Sequence, residues 1–211
     1  MNRDEKSQKT KRKIMDSALS EFSAKGYGGS SINTICSSQD ISKGIVYHYF
    51  ETKDALYLAC VEECFQRLTE YIKDNFSSDN ISIKEQLEKY FTLRTRFFKM
   101  YPVYQRIFCE AVISPPEHLS SDIRRCKLDF DTLNAKILRE LIAPISLRSD
   151  ISKEDVIETF REFQDFINIR YHMIDLDSHT FEMREEKCLK ALNILLYGVI
   201  DRKEWGNAKT V

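Results

Sequence analysis

Four prolines and six glycines are spread over 211 residues, too few for a collagen-like chain, a linker-rich chain or a turn-rich β fold. Long hydrophobic runs are also missing, and no apolar stretch approaches the roughly 18 residues that a membrane span requires. The start of the chain is charged with no apolar segment behind it, so no secretory signal is expected and the cytoplasm is the expected location. The six cysteines (Cys36, Cys60, Cys64, Cys109, Cys126, Cys188) form no Cys-x-x-Cys pair and no Cys/His zinc spacing. In a reducing compartment such residues read as small buried hydrophobes, although Cys60 and Cys64, one helical turn apart, leave a redox switch open. The four histidines, at 48, 118, 172 and 179, are dispersed, and no nucleophile–base pair, metal cluster or glycine-rich phosphate loop is visible. Neither catalysis, nor a metal, nor a cofactor is expected.

What is present is a chain 42% hydrophobic, enough to build one large or two small cores. Its net charge of −1 is unevenly distributed: residues 1–50 carry 8 Lys and Arg against 5 Asp and Glu. The excess lies in Arg3, Lys6, Lys9, Lys11, Arg12 and Lys13, set against Asp4 and Glu5. A basic arm of this kind suits a polyphosphate partner, and a solvated tail would look much the same.

Apolar periodicity predicts helices almost throughout, hence an all-α protein. Ile14, Ala18 and Phe22 recur every four residues on a first helix, about 9–25, which Gly26 and its neighbours end. Ser30 or Ser31 caps a second helix through Ser38. Gln39-Asp40-Ile41 forms a tight turn, Ser42 opens a third helix over 43–48, and Thr52 caps a long fourth helix that starts at Lys53. Three short helices are marginal as a free-standing unit, so the fourth must be shared with the C-terminal part of the chain. Further helices are expected at about 81–99, 102–113, 117–143, 152–174 and 179–203, with breaks at Pro102, Pro115-Pro116 and Pro144.

Residues 31–50 read as a helix–turn–helix. Ile35, Ile41, Val46 and Phe50 can pack inward, leaving Lys43, Gly44, Tyr47 and His48 outward, as on a helix that enters a major groove. Of Tyr47 and Tyr49 about one is expected to pack the small core, because nearby positions two apart do not share a helix face. The ordered series Thr10, Ile14, Ala18, Phe22, Lys25-Gly26-Tyr27, Ser31-Ile32, Ile35, Ile41-Ser42-Lys43-Gly44, Tyr47-His48-Tyr49-Phe50 and Lys53-Asp54-Ala55-Leu56 resembles the tetracycline-repressor (TetR) family of bacterial transcription regulators. The match covers about the first quarter of the chain. It departs from the family at the turn, where Ser38-Gln39-Asp40 replaces small residues and glycine, and at Ile45, where Thr or Ser is common. Asp tolerates left-handed geometry, and an apolar Ile45 could meet a thymine methyl.

The resemblance implies a helix–turn–helix DNA-binding domain over 1–52 and a helical effector-binding and dimerisation domain over 53–211. It assigns DNA contact to Ser31, Asn33, Lys43, Gly44, Ile45, Tyr47, His48, Tyr49 and Lys53, with Ser31, Tyr49 and Lys53 on phosphate. It also implies a small-molecule pocket among helices rich in aromatic residues, with Tyr90, Arg94, Phe97, Phe98, Tyr101, Tyr104, Phe108 and Phe130 as candidates. These residues would equally fill a core, and Arg94 and Arg106 would either anchor an anionic effector or stand in solvent. A hairpin over about 152–203 would pair two copies into a four-helix bundle, through Phe160, Phe163, Ile167, Tyr171, Leu192, Leu195 and Val199. The expected protein is thus a homodimeric repressor that binds double-stranded DNA at a palindromic operator and is released by an apolar or aromatic effector. The alternative is a DNA-binding regulator governed by a protein partner or by cysteine oxidation.

Overall fold

The computed structural model describes residues 3–77, 82–171 and 178–199, apart from some side chains within the later helices. The helices are α1 (Arg3–Gly29), α2 (Ile32–Ser38), α3 (Lys43–Tyr49), α4 (Lys53–Asn75) and α5 (Ile83–Met100). They are followed by α6 (Val103–Ile113), a 3-10 turn (Glu117–Leu119), α7 (Ser120–Cys126), α8 (Leu128–Ile142), α9 (Lys153–Tyr171) and α10 (Ser178–Val199). No β-sheet occurs among the described residues, and the fold is all-α.

Local chemistry accounts for most of these boundaries. Ser31 caps α2 by accepting from the Thr34 N–H at 3.1 Å, and Thr52 caps α4 by accepting from the Ala55 N–H at 3.0 Å. Ser82 with Glu85 and Ser152 with Asp155 form reciprocal capping pairs at the starts of α5 and α9. α1 is interrupted at Gly26, whose φ of 69° and ψ of 177° belong to a region that only glycine enters freely. Asp40 takes φ 52° in the turn after α2, the left-handed geometry that Asp tolerates, and the Ile41 N–H closes that turn on the Cys36 carbonyl at 3.0 Å.

Two expectations for element boundaries are corrected. α1 begins at Arg3 rather than near Lys9, so the basic segment is helical and not a tail. The single helix expected over 117–143 is three pieces, because Lys127, at φ −93° and ψ 0°, leaves the helical region between α7 and α8. Its periodicity conceals that break, since the apolar spacing runs on across it.

The chain gathers into two compact units. The first comprises residues 1–68 and 98–129, and the second comprises residues 69–97 and 130–211. In the first, Ile14, Ala18 and Phe22 form the buried stripe of α1, as the four-residue spacing predicts. Phe22 meets Tyr57 edge-on at 5.0 Å, and Phe108 of α6 stacks near Phe65 (5.5 Å) and Phe98 (4.9 Å). α6 packs along α1, while the polar Ser17 inside the head donates to the Ile35 carbonyl at 2.7 Å. In the second unit α9 and α10 pack together as a hairpin, and Val156, Phe160, Cys188 and Leu192 are buried there.

A candidate nucleic-acid interface

α3 is seven residues long and has one side turned inward. Val46 is 1% exposed, whereas its neighbours Ile45 and Tyr47 are 43% and 46% exposed. Lys43, Gly44 and His48 are exposed as well. A side chain at Gly44 would meet no atom within 4 Å, so the backbone there is open to close approach. Burying Val46 orients the helix, and the surface that remains is a lysine, an open glycine, an isoleucine, a tyrosine and a histidine. These supply a cationic donor, an apolar contact and two aromatic groups with polar tips, the chemistry that base edges and phosphates require.

The flanking candidates fall around this surface. Ser31 is exposed at the start of α2 with its hydroxyl engaged in the cap and with the Thr34 hydroxyl at 2.9 Å, and Asn33 is exposed in the first turn of that helix. Lys53, in the first turn of α4, stands 4.3 Å from the centre of the Tyr27 ring, a cation–π contact that holds its stem. The Tyr27 hydroxyl donates to Asp54, and His118 lies 3.3 Å from that hydroxyl. Burial, followed by the Asp54 carboxylate, pushes the Tyr27 phenol up to about 12. Of the tyrosine pair Tyr49 is half-buried and Tyr47 exposed, and the contacts of Tyr49 are with exposed residues. Its hydroxyl donates to the Ser7 carbonyl at 3.2 Å and lies 2.9 Å from the Ser7 hydroxyl, while its ring meets His48 edge-on at 5.2 Å. The contact with Ser7 escapes a reading of periodicity, since the first ten residues carry no apolar stripe to signal a helix.

A sequence profile described as bacterial regulatory proteins, tetR family, matches residues 14–60, from the buried start of the α1 stripe to the first turns of α4. The chain is similar to the biofilm operon icaADBC HTH-type negative transcriptional regulator IcaR of Staphylococcus epidermidis. The two are 30% identical over 152 residues, 70% of this chain and 76% of the relative. The chain belongs to the tetR family of bacterial regulatory proteins. This tetR-family regulator also resembles IcaR of Staphylococcus aureus, at 35% identity over 95 residues, 43% of this chain and 51% of that protein. A solved structure with the same fold is the transcriptional regulator FadR from Bacillus subtilis in complex with stearoyl-CoA. It has a TM-score of 0.62 and 14% identity, and the match covers 90% of this chain and 97% of that one.

In this tetR-family chain the pocket candidates divide between the two compact units. Phe98, Tyr101, Tyr104 and Phe108 belong to the first, and Tyr90, Arg94, Phe97 and Phe130 to the second. All are buried except Tyr101, which is exposed beside Tyr104. Burial, followed by the Glu63 carboxylate, pushes the Tyr104 phenol well up. Arg94 does not stand in solvent. It is buried against the rings of Tyr90, Phe91 and Phe130 and pairs with Glu185 of α10 at 3.1 Å. Burial pulls its pKa down, but the Glu185 charge and the Tyr90 oxygen outweigh that and leave it raised. Arg106 is half-buried and donates to the Ala24 carbonyl at 3.0 Å.

Of the pairing candidates, Phe160 and Leu192 are buried within their own unit and Phe163 is half-buried. The side chains of Ile167, Tyr171, Leu195 and Val199 lie outside the described residues. Phe166 and Ile194, off the expected stripes, are 58% and 63% exposed. No group of three or more metal-capable side chains occurs among the described residues, and no helix among them is long and apolar enough to cross a membrane.

Proposed function

We propose that this tetR-family regulator is a cytoplasmic, homodimeric repressor that reads a palindromic operator with α3 and is released by a small-molecule effector bound in its helical body. The observation that carries the reading is the exposed Ile45 and Tyr47 on either side of the buried Val46. An isoleucine and a tyrosine presented to water beside a lysine and an open glycine have no role in the core, and they suit a groove. In this reading Lys43 donates to guanine or phosphate, Ile45 meets a thymine methyl, Tyr47 and His48 contact bases or sugar, and Ser31, Asn33 and Lys53 lie along the backbone. Residues 1–52 then act as the reading head and 53–211 as the effector and dimerisation body. One short helix reads few bases, whereas two held about 34 Å apart read both halves of a palindrome.

The repressing sign is supported by IcaR of S. epidermidis, a negative regulator. A small-molecule effector is supported by FadR of B. subtilis, which carries stearoyl-CoA on the same fold. A coupling of about 1–3 kcal/mol between effector and operator would change operator affinity about 5- to 150-fold. Control by cysteine oxidation is disfavoured: Cys60 and Cys64 are fully buried, and burial, followed by neighbouring charges, pushes both thiols well up, away from the reactive thiolate.

The test is binding to DNA from the protein's own upstream region, compared with mixed-sequence DNA. Lys43→Ala and Tyr47→Ala are each expected to weaken operator binding by roughly 5- to 150-fold, as removal of a base-contacting group does, with the dimer unchanged in size-exclusion chromatography. Undiminished operator affinity in both variants would overturn the reading.

A further inference from the structure

We propose that Tyr27, Asp54 and His118 are positioning residues for Lys53, seating its ammonium for a phosphate of bound DNA, and that a proton on His118 strengthens that grip. The proposal rests on the DNA-binding reading above, which gives Lys53 to the DNA backbone. The four side chains come from three elements of the first unit: Tyr27 from the end of α1, Lys53 and Asp54 from the first turn of α4, and His118 from the 3-10 turn. None of them is fully buried, for Tyr27, Lys53 and Asp54 are half-buried and His118 is exposed. The turn that carries His118 is itself anchored, since its last residue, Leu119, is buried.

Tyr27 is fixed at both ends. Its backbone N–H donates to both Glu110 oxygens at 3.0 Å, and its hydroxyl donates to the Asp54 Oδ1. Between them its ring meets that of Tyr57 edge-on at 5.1 Å. The Lys53 ammonium lies over the ring, 4.3 Å from its centre. A ring face attracts a cation without accepting a conventional hydrogen bond, so the ammonium is held in place and can still donate to a phosphate oxygen. A free lysine loses rotamer freedom when it binds, and a seat that orders it beforehand removes that cost.

Asp54 is the charge that opposes this arrangement. It follows Lys53 directly, and a free carboxylate there would compete for the ammonium and repel the DNA backbone. It is drawn aside instead. Oδ1 accepts from the Tyr27 hydroxyl, and Oδ2 lies 3.5 Å from the His118 Nε2, which is also 3.3 Å from the Tyr27 hydroxyl. With the Tyr27 phenol pushed up to about 12 by burial and by the Asp54 carboxylate, it remains a donor near neutral pH. Histidine is the side chain whose charge changes between about pH 8 and 5. A neutral His118 leaves the Asp54 charge standing beside Lys53, whereas a protonated one cancels it, so DNA affinity rises as pH falls. Around the cluster, α6 brings Glu110 and Arg106, engaged on the Tyr27 N–H and the Ala24 carbonyl, and α4 adds Tyr57, whose hydroxyl donates to Glu110. The 3-10 turn adds the exposed Glu117, and in α7 Asp122 pairs with Arg125.

The experiment measures the affinity of the full-length protein for the upstream DNA, and for a mixed-sequence duplex of about 30 base pairs, at constant salt and at about pH 8 and about pH 6. The ratio of wild-type to His118→Gln affinity is expected to be close to unity at about pH 8 and to reach about 2- to 5-fold at about pH 6, the scale of an exposed charge pair. His48 is common to both proteins and cancels from that ratio. Tyr27→Phe keeps the ring and releases Asp54. It is expected to weaken binding by about 2- to 5-fold in the native background and by much less beside Lys53→Gln, as coupled residues do. Variants are compared at native helix content. A ratio that is the same at both pH values, or a Tyr27→Phe loss undiminished beside Lys53→Gln, would overturn the seat while leaving the reading by α3 intact. So would a Lys53→Gln protein that binds both duplexes as wild type does. Wild-type protein that binds neither duplex would defeat the underlying reading, and the seat with it.

Discussion

At Gly26 the chain turns out of α1 with φ 69° and ψ 177°, and a Cβ built there would lie 2.9 Å from the Glu110 Oε1. That carboxylate cannot easily give way. Both its oxygens accept from the Tyr27 N–H at 3.0 Å, and Oε2 also accepts from the Tyr57 hydroxyl at 2.9 Å. Burial, followed by the charge and hydrogen bond of Glu110, pushes the Tyr57 phenol far above its ordinary range, so it remains a donor. Gly26→Ala therefore combines a backbone region essentially closed to other residues with a contact against a pinned side chain. A loss of about 1–3 kcal/mol is expected, read from the midpoint of urea unfolding. Unchanged stability would mean that the Glu110 clasp is looser than its hydrogen bonds indicate. The glycine was legible as a helix stop from its place after Lys25. Its distant partner Glu110 was not, because no local pattern marks a carboxylate that serves a backbone so far away in sequence.

At the scale of elements, one carboxylate joins three helices of the first unit. Glu63 of α4 accepts from Arg12 of α1 at 2.6 Å, from the Tyr104 hydroxyl of α6 at 2.6 Å, and from Arg67 on its own helix at 3.2 Å. Burial pushes its pKa upward, but the hydrogen bonds from Arg12 and Tyr104 and the two guanidinium charges outweigh it, and the carboxyl titrates below its ordinary value. A pKa lowered on folding contributes stability in full above the unfolded value of about 4.3, and that contribution is lost as pH falls through the lower folded value. The gap in Tm between wild type and Glu63→Gln should stay constant from neutral pH down to about 5, and shrink as pH falls below the unfolded value and through the lowered folded one. A gap that persists into acid would assign the effect to packing instead of charge.

The same scale shows what periodicity reports well and what it does not. The helix–turn–helix was readable because Ile35, Val46 and Phe50 bury at helical spacing, with capping serines and a turn-tolerant Asp between them. The break at Lys127 was not, since an apolar pattern that continues across a kink looks like one helix. Arg94 was open to misreading for a related reason: an arginine among aromatics reads as a surface residue until its partner is known, and Glu185 lies 91 positions away.

For the whole molecule, the proposed pairing of two copies gives the α9–α10 hairpin a second task beyond closing its own core. Phe160 and Leu192 serve the core, whereas Phe166 and Ile194 meet water in the single chain. Phe166→Glu and Ile194→Glu are expected to shift light scattering from dimer to monomer and to abolish tight operator binding without lowering the helix content. Phe160→Ala is expected to cost about 3–5 kcal/mol of stability, as truncation of a buried aromatic does. If both glutamate variants remain dimeric, the pairing surface lies elsewhere.

The division of the chain into residues 1–68 with 98–129 and 69–97 with 130–211 bears on how such a regulator could be rewired. The changeovers at 68/69 and 97/98 lie inside α4 and α5, with no loop at either point to serve as a splice site. A chimera that transplants only residues 1–52 onto a foreign body would part Phe22 from Tyr57, Arg12 from Glu63 and the Tyr27 backbone from Glu110. The cassette that keeps its own interior is discontinuous, made of two stretches of sequence that must be exchanged together. An exchange of operator specificity between relatives is therefore better achieved by replacing the exposed face of α3 than by swapping the head.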